Sequence, residues 1–417
     1  MQRKKGNYRK QGGVKIIFGE LLIALFSGIF LGIFTGLVPG VHINMASMFI
    51  LTVSPILFAF FSPLAVAVFI IAMAITHTFL DNIPSIYLGA PEPGAALAVL
   101  PGHKMLLQGE GYEAVKLMTV GSFFGLLLSA VLIIPSIPLV KAIFPYLQQF
   151  MGWILLAVVL AIIFHEQKKI VALALFLLSG TLGVIAFNLP QIDTPLFPML
   201  SGLFGLSTLF LSLNDKVNIP PQKIADKLSL EKKKVFTAIG LSTFCGSLVS
   251  LFPGVGAAEA SVLGNELTGR RIGDKGFLML VGGVNTVNMV VSFLTFYALD
   301  KPRNGAIVVV KELIKEITFN NLWIFLAVAV VAGCVAMVLT LYLSKKFSHY
   351  ITKVNYQKLC VGIILLVGLM VLLLSGIYGF ILMAVSTAVG LLPPLAGVKR
   401  SINMGSLLLP VILMFLL

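Results

Sequence analysis

Ionisable and amide side chains are scarce in this chain, so the few that interrupt its apolar stretches mark where chemistry is possible. His77 lies four residues before Asp81, and on a helix the two share a face; Asn82 follows directly. Asn285 and Asn288, three residues apart, share another face. Glu259 stands in an apolar stretch shortly after Pro253-Gly254. An ionisable group inside a hydrocarbon-spanning segment is costly and commonly functional. Asp81, Asn82 and Glu259 are therefore candidates for holding a coupling proton or Na⁺. The amide oxygens of Asn285 and Asn288 suit Na⁺ or the hydroxyls of a solute. Each has a plainer reading. His77, Asp81, Asn285 and Asn288 could be interhelical hydrogen bonds, and Glu259 a boundary residue paired with Arg270 or Arg271. Lys301, Arg303 and Lys104 offer counter-charges for an anion, although a loop at the membrane surface accounts for them better.

A second chemistry needs no ionisable group. Leu37-Val38-Pro39-Gly40-Val41-His42-Ile43-Asn44-Met45-Ala46-Ser47 aligns without gaps with Leu251-Phe252-Pro253-Gly254-Val255-Gly256-Ala257-Ala258-Glu259-Ala260-Ser261. Each segment follows an apolar run of similar length. Proline removes a helix hydrogen bond and glycine loosens the backbone. A helix that restarts after Pro-Gly presents unpaired N–H groups and a positive dipole end, and two such ends meeting in hydrocarbon make an anion site. Paired interruptions of this kind in two halves of a chain point to a carrier's binding site. The substrate-binding candidates are Pro39, Gly40, His42, Asn44 and Ser47 from the first segment, Pro253, Gly254, Gly256 and Ser261 from the second, and Asn285 and Asn288. Against this stand a simple proline kink, chance likeness between apolar stretches, and Asn44 as a mere helix cap.

These residues must be positioned by membrane-embedded helices. Of 417 residues, 58% are hydrophobic and only 11% charged, against about 25% charged in soluble domains. Runs long enough to cross a bilayer, roughly 20 residues each, recur along the chain. The expected fold is all-α: a polytopic membrane protein of two repeated halves with broken or re-entrant helices, about ten to twelve spans in all. Residues 1–15 read as a basic cytoplasmic tail, 16–213 as the first transmembrane half, 214–234 as a basic cytoplasmic linker and 235–417 as the second half. Pro55–Thr76 reads as one span. The Gly/Pro-rich stretch from Pro84 to Gly102 reads as non-helical, and a further break is expected near Asn285–Asn304. Whether the halves run parallel or inverted is left open. The net charge of +14 sits in short clusters between apolar runs, which fits contact with lipid headgroups and a positive-inside bias rather than nucleic acid. Cys245, Cys334 and Cys360 show no metal-ligand spacing.

In order and spacing, several segments resemble the large membrane subunit of the tripartite tricarboxylate transporter family: Gly36-Leu37-Val38-Pro39-Gly40, Pro253-Gly254-Val255-Gly256-Ala257, the proline-rich Ile83–Ala96, Leu100-Pro101-Gly102-His103-Lys104-Met105 with Gly109, and Lys275-Gly276 with Asn288. The resemblance implies uptake of carboxylates by secondary transport, with an extracytoplasmic binding protein and a small membrane subunit as partners. The expectation is alternating-access transport of a di- or tricarboxylate across the cytoplasmic membrane, coupled to Na⁺ or H⁺, with no other cofactor. Self-association into a homo-oligomer is left open. The rivals are a channel, a carrier for another small solute such as an amino acid, and an intramembrane enzyme. His165-Glu166 lacks the second histidine of a zinc helix, and neither a Gly-x-Ser-x-Gly elbow nor a phosphate-cradling loop is present.

Overall fold

The computed structural model describes residues 9–38, 43–89, 98–164, 166–192, 195–214, 219–224, 228–251, 257–269, 271–351 and 356–417. Their regular structure is helical. Eight helices among them are long and apolar enough to cross a bilayer, and four shorter apolar helices lie between. Large side chains such as Phe30, Phe60, Trp153 and Leu373 face outward, the exterior of a multi-pass membrane protein whose solvent is lipid.

Two helix pairs organise the centre. Helix α1 (Arg9–Leu37) packs along α3 (Pro63–Leu80), with Gly28 against Ala72 and Gly36 against Leu80, so the two run in the same direction. Between them α2 (Ile43–Leu57) descends, and the tip after it returns to the start of α1, where the Ser62 N–H donates to Glu20. Ser62 also caps α3 by accepting from the Ala65 N–H, and Pro63 occupies the first turn, where its missing N–H costs nothing. The second pair repeats this arrangement. Helix α10 (Lys232–Leu251) packs in parallel on α12 (Gly273–Leu299), with Ser242 against Gly283 and Ser250 against Asn288, and the short α11 (Ala257–Leu267) lies between them in sequence.

The two pairs point in opposite directions. Helix α14 (Phe319–Ile351) runs with α3 and its short continuation α4 (Asn82–Tyr87): Phe79 lies at Gly333, and the Tyr87 hydroxyl meets Ser344 Oγ at 3.1 Å. Along α12 and α14, however, Phe293 stacks near Phe325 and Tyr297 near Phe319, an antiparallel register. Hence α3 and α12 are antiparallel, and α1 and α10 start from opposite ends of the bundle. The basic tail and the basic linker, both expected on the cytoplasmic face, adjoin those opposite ends.

α3 and α12 are also the most enclosed helices. Over their most apolar stretch, 83% of residues are buried, against 28–44% in the other six spans. Their polar groups therefore face protein, not lipid. Helix α6 (Gly111–Phe164) crosses α12 where both backbones touch: a Cβ on Gly121 would lie 1.9 Å from the Met279 carbonyl oxygen, and one on Gly282 2.3 Å from that of Met118. Close approach through small residues is how membrane helices gain packing energy without a hydrophobic driving force. Beyond Pro135, Pro138 and Pro145, the Gly152–Phe164 part of α6 lies against α11 and α16 (Gly405–Leu416).

The remaining elements complete the bundle. Helix α5 (Val99–Leu107) precedes α6, and α7 (Lys169–Asn188) follows it. Helix α8 (Leu196–Leu200) continues through a π-helical turn (Ser201–Leu206) into α9 (Ser207–Asn214). Helix α13 (Gly305–Ile314) packs on α2 and α3. Helix α15 (Tyr356–Ala396) folds back on itself at Gly376, whose φ of 64° is open to glycine but strained for other residues. An apolar cavity of about 580 Å³ separates α1 from α2, lined by Ile23, Phe34, Ala46, Phe49, Leu57 and Phe69 among others.

Three expectations are corrected. Pro55–Thr76 is not one span: α2 ends at Leu57 and α3 begins at Pro63. The ends of the Gly/Pro-rich stretch are helical, because Pro84 and Pro101 each sit third in a short helix, where the first turn has no N–H to lose. Its middle lies outside the described residues. No break occurs at Asn285–Asn288; α12 runs unbroken to Leu299, and only 300–304 is irregular.

Gly121→Leu should destabilise the purified protein by at least ~1–3 kcal/mol, the cost of overpacking, whereas Gly240→Ala, with open space around its Cβ position, should be neutral; thermal unfolding in detergent measures both. In a cysteine-free background, a cysteine at Phe60 and one at Lys232 should react with a membrane-impermeant maleimide from opposite sides of the bilayer.

Candidate functional site

Asp81 is placed by a helix interruption that its neighbours dictate. Pro84 has no N–H to offer Leu80, so α3 ends there and α4 restarts at Asn82. Asp81 bridges the two in helical conformation, its N–H donating to the His77 carbonyl at 3.0 Å. The junction lies at the level of Gly36, the last turn of α1 before the first Pro-Gly. Asp81 is 1% exposed, and its Oδ2 accepts from Asn285 Nδ2 at 3.0 Å. One turn earlier, Thr78 Oγ1 meets Thr286 Oγ1 at 3.2 Å. These two contacts join the antiparallel central helices.

From that joint polar contacts lead toward both Pro-Gly segments. His77 Nδ1 lies 3.2 Å from Thr35 Oγ1, in the last turns of α1. On the other side Ser250, in the last turn of α10, donates to Asn288 Oδ1 at 3.0 Å. Leu37 and Leu251, the residues that enter the two interruptions, pack against the same apolar core.

Within five residues of Asp81 along the chain are polar atoms that the described residues leave unsatisfied. Asn82 is fully buried and neither its amide oxygen nor its nitrogen has a partner; the hydroxyls of Thr76 and Ser85 are likewise unpartnered. Buried polar groups in native proteins are nearly always paired, so such a cluster points to a bound group. Ser85 is four residues from Asp81 and shares its face. A carboxylate, an amide oxygen and hydroxyls form an all-oxygen donor set, the chemistry that hard cations take and that a transferable proton can also use.

A second locus lies between α2 and α13. The Asn44 side chain fits against Gly305: a Cβ there would be 2.5 Å from Asn44 Cγ. Asn304 caps α13, its Oδ1 accepting from the Ala306 N–H at 2.9 Å. The starts of α2 and α13 thus meet, and both bring positive dipole ends. Arg303 adjoins them with its guanidinium 5.6 Å from the Phe144 ring centre, and its buried Nε has no partner among the described residues. The nearby Lys311, by contrast, is paired with Asp300 at 2.8 Å.

The sequence-derived candidates divide accordingly. Asp81, Asn82, Asn285 and Asn288 are brought together at the centre, and Asn44 stands at the α2–α13 junction. The Ser47 and Ser261 hydroxyls donate to carbonyls of their own helices, Ile43 at 2.8 Å and Ala257 at 2.7 Å. Pro39, Gly40, His42, Pro253, Gly254 and Gly256 lie outside the described residues. Glu259 is on the first turn of α11, with its side chain also outside them. Sequence reasoning missed Thr35, Thr76, Ser85, Ser250 and Thr286. A hydroxyl four residues from an acid, as in Asp81–Ser85, was a usable signal; the others required knowing which helices touch.

Bilayer-length helices wrapped around an interior carboxylate define a multi-pass membrane protein with a polar centre. The sequence profile of the Tripartite tricarboxylate transporter TctA family matches residues 22–405, and the chain belongs to that family. The family is one of membrane transporters, the large subunits of tripartite systems that generally include a small membrane subunit and a binding protein. The uncharacterized protein MJ1079 of Methanocaldococcus jannaschii is 28% identical over 406 residues, covering 95% of this chain and 99% of its own length. No solved structure gives a significant match.

Asn82→Leu removes a buried amide with no partner among the described residues while keeping its branched shape and number of heavy atoms. It should leave thermal stability unchanged or raise it by ~1–3 kcal/mol, the desolvation penalty of such a group. A loss of that size would mean Asn82 is satisfied within the fold.

Proposed function

We propose that this chain is the translocating subunit of a secondary transporter for a small organic anion of the di- or tricarboxylate class, coupled to Na⁺ or H⁺. The observation that carries the reading is the buried Asp81, held by Asn285 between antiparallel central helices, with the unsatisfied Asn82, Ser85 and Thr76 within five residues of it along the chain. In this reading that cluster takes the coupling cation. The anion's carboxylate sits at the meeting starts of α2 and α13, with Asn44 as a hydrogen-bond donor and Arg303 as counter-charge. Neutralising Asp81 by cation binding would change the charge at the joint between the two helix pairs, which gives a gradient a physical handle on their packing. The matching order of elements in the two pairs, running in opposite directions, supports an inverted duplication, the architecture in which one half's motion is mirrored by the other. The family's three-part organisation supports a small membrane subunit and an extracytoplasmic binding protein as partners.

The test is uptake of radiolabelled citrate, with succinate and glutamate as competitors, into proteoliposomes under an imposed Na⁺ or proton gradient. Saturable, gradient-driven uptake with counterflow is expected. Asp81→Asn should lower gradient-driven accumulation at least about tenfold, equivalent to ~1.4 kcal/mol, while leaving counterflow measurable. Arg303→Gln should raise the half-saturating anion concentration by about tenfold. Non-saturating conductance would support a channel, and preference for glutamate an amino-acid carrier.

A further inference from the structure

Away from the central helices, the bundle of α7, α9, α15 and α16 encloses a charge that nothing in the transport reading uses. The chain leaves α15 at Ala396 and enters α16 through a 3₁₀ turn, Arg400–Met404. Arg400 is 8% exposed and its Nη1 donates to Thr208 Oγ1 on α9. Burial pushes its guanidinium down to about 10, so it is still protonated at neutral pH. No carboxylate among the described residues lies within ion-pair distance of it. Glu166, the acid of this region, is taken by Lys399 at 3.0 Å, and the other enclosed cation, Lys116, is paired with Glu113 at 2.7 Å. A buried charge without a counter-charge is strongly unfavourable.

The turn itself supplies the second observation. In a 3₁₀ helix side chains three apart are eclipsed, so Asn403 stands on the same face as Arg400. Asn403 is fully buried, and neither its amide nitrogen nor its oxygen has a partner among the described residues. On the returning limb of α15, the buried Ser386 hydroxyl is also unpartnered; its Cβ lies against Gly202 of the π-helical turn that leads to Thr208. A π-helical turn widens the backbone and recurs at functional sites. The guanidinium, which makes no other hydrogen bond among the described residues, and the Asn403 NH₂ form a donor-rich pair matched to a planar or tetrahedral oxyanion.

We propose that Arg400 and Asn403, with Thr208 orienting the guanidinium, form a second anion site, separate from the transport locus, that binds one oxyanion: a carboxylate or phosphate group. The group would come either from a free anion or from an anionic lipid headgroup, since basic pockets between membrane helices take such headgroups. Lys168, whose Nζ donates at 2.7 Å to the carbonyl of Ala396 at the end of α15, adds to the local positive field.

The test follows thermal unfolding of the full-length protein in nanodiscs. One arm titrates inorganic phosphate and, separately, acetate into neutral phosphatidylcholine discs; the other adds phosphatidylglycerol to the discs without free anion. Stabilisation of the wild-type protein in the first arm identifies a free oxyanion, and in the second a headgroup; either supports the site provided Arg400→Gln and Asn403→Leu abolish it. Arg400→Lys, which keeps charge but loses the fork, should shift the half-saturating concentration by about tenfold. Asn403→Leu removes an unpartnered amide, so its basal stability should not fall, which keeps the test readable if Arg400→Gln folds poorly. A wild-type protein indifferent to every probe, or variants that respond as the wild type does, would overturn the assignment.

Discussion

The structure turns on one constraint: a carboxylate must be kept in the middle of a protein whose outside is oil. Asp81 meets it through position more than through number of bonds. α3 and α12 are the two helices withdrawn from lipid, and their crossing puts the Asn285 amide 3.0 Å from the acid. Everything around them serves that enclosure. Small residues let α1 lie along α3 and α6 along α12 at backbone contact, and large apolar side chains are pushed outward. Were either central helix on the rim, Asp81 would face hydrocarbon, where an ionised group is costly by any measure.

The same enclosure explains which polar residues are settled and which are not. Ser47, Ser261, Thr119 and Thr243 return their hydroxyls to their own helices, the cheapest solution in a medium without water. Thr35, His77, Ser250 and Asn288 tie neighbouring helices together. Asn82 and Ser85 do neither, although they are as deeply buried as any residue in the chain. That contrast separates a site from a scaffold more sharply than polarity does. The same criterion selects Asn403 in the other part of the bundle.

Much of this was legible before any coordinates. The apolar runs announce a helical membrane protein, the charge-poor composition excludes a soluble one, and Asp81, Asn82, Asn285 and Asn288 stand out because amides and acids are rare in such runs. Their association did not follow from sequence: Asp81 and Asn285 are 204 residues apart, and periodicity is silent on which helices touch. Proline was over-read. Pro84 and Pro101 suggested irregular chain, yet both lie in a helix's first turn, where proline is tolerated. Pro55 was taken to open a span but ends one. Arg303 was set aside as a surface charge because its local sequence looks like a loop. Its proximity to Asn44 is a tertiary fact, created by α13 docking on α2.

The cavity between α1 and α2 has a thermodynamic corollary. Its walls are almost wholly apolar, so it offers water no hydrogen-bond partner and suits acyl chains instead. Swinging α2 toward α1 would squeeze out lipid tails, exchanging one hydrocarbon contact for another at little net solvation cost. The opposite face of α2 is different: there the Asn44–Gly305 fit is specific and leaves no slack. A helix with a smooth apolar cavity on one side and a keyed contact on the other would be released by a small change at the keyed side.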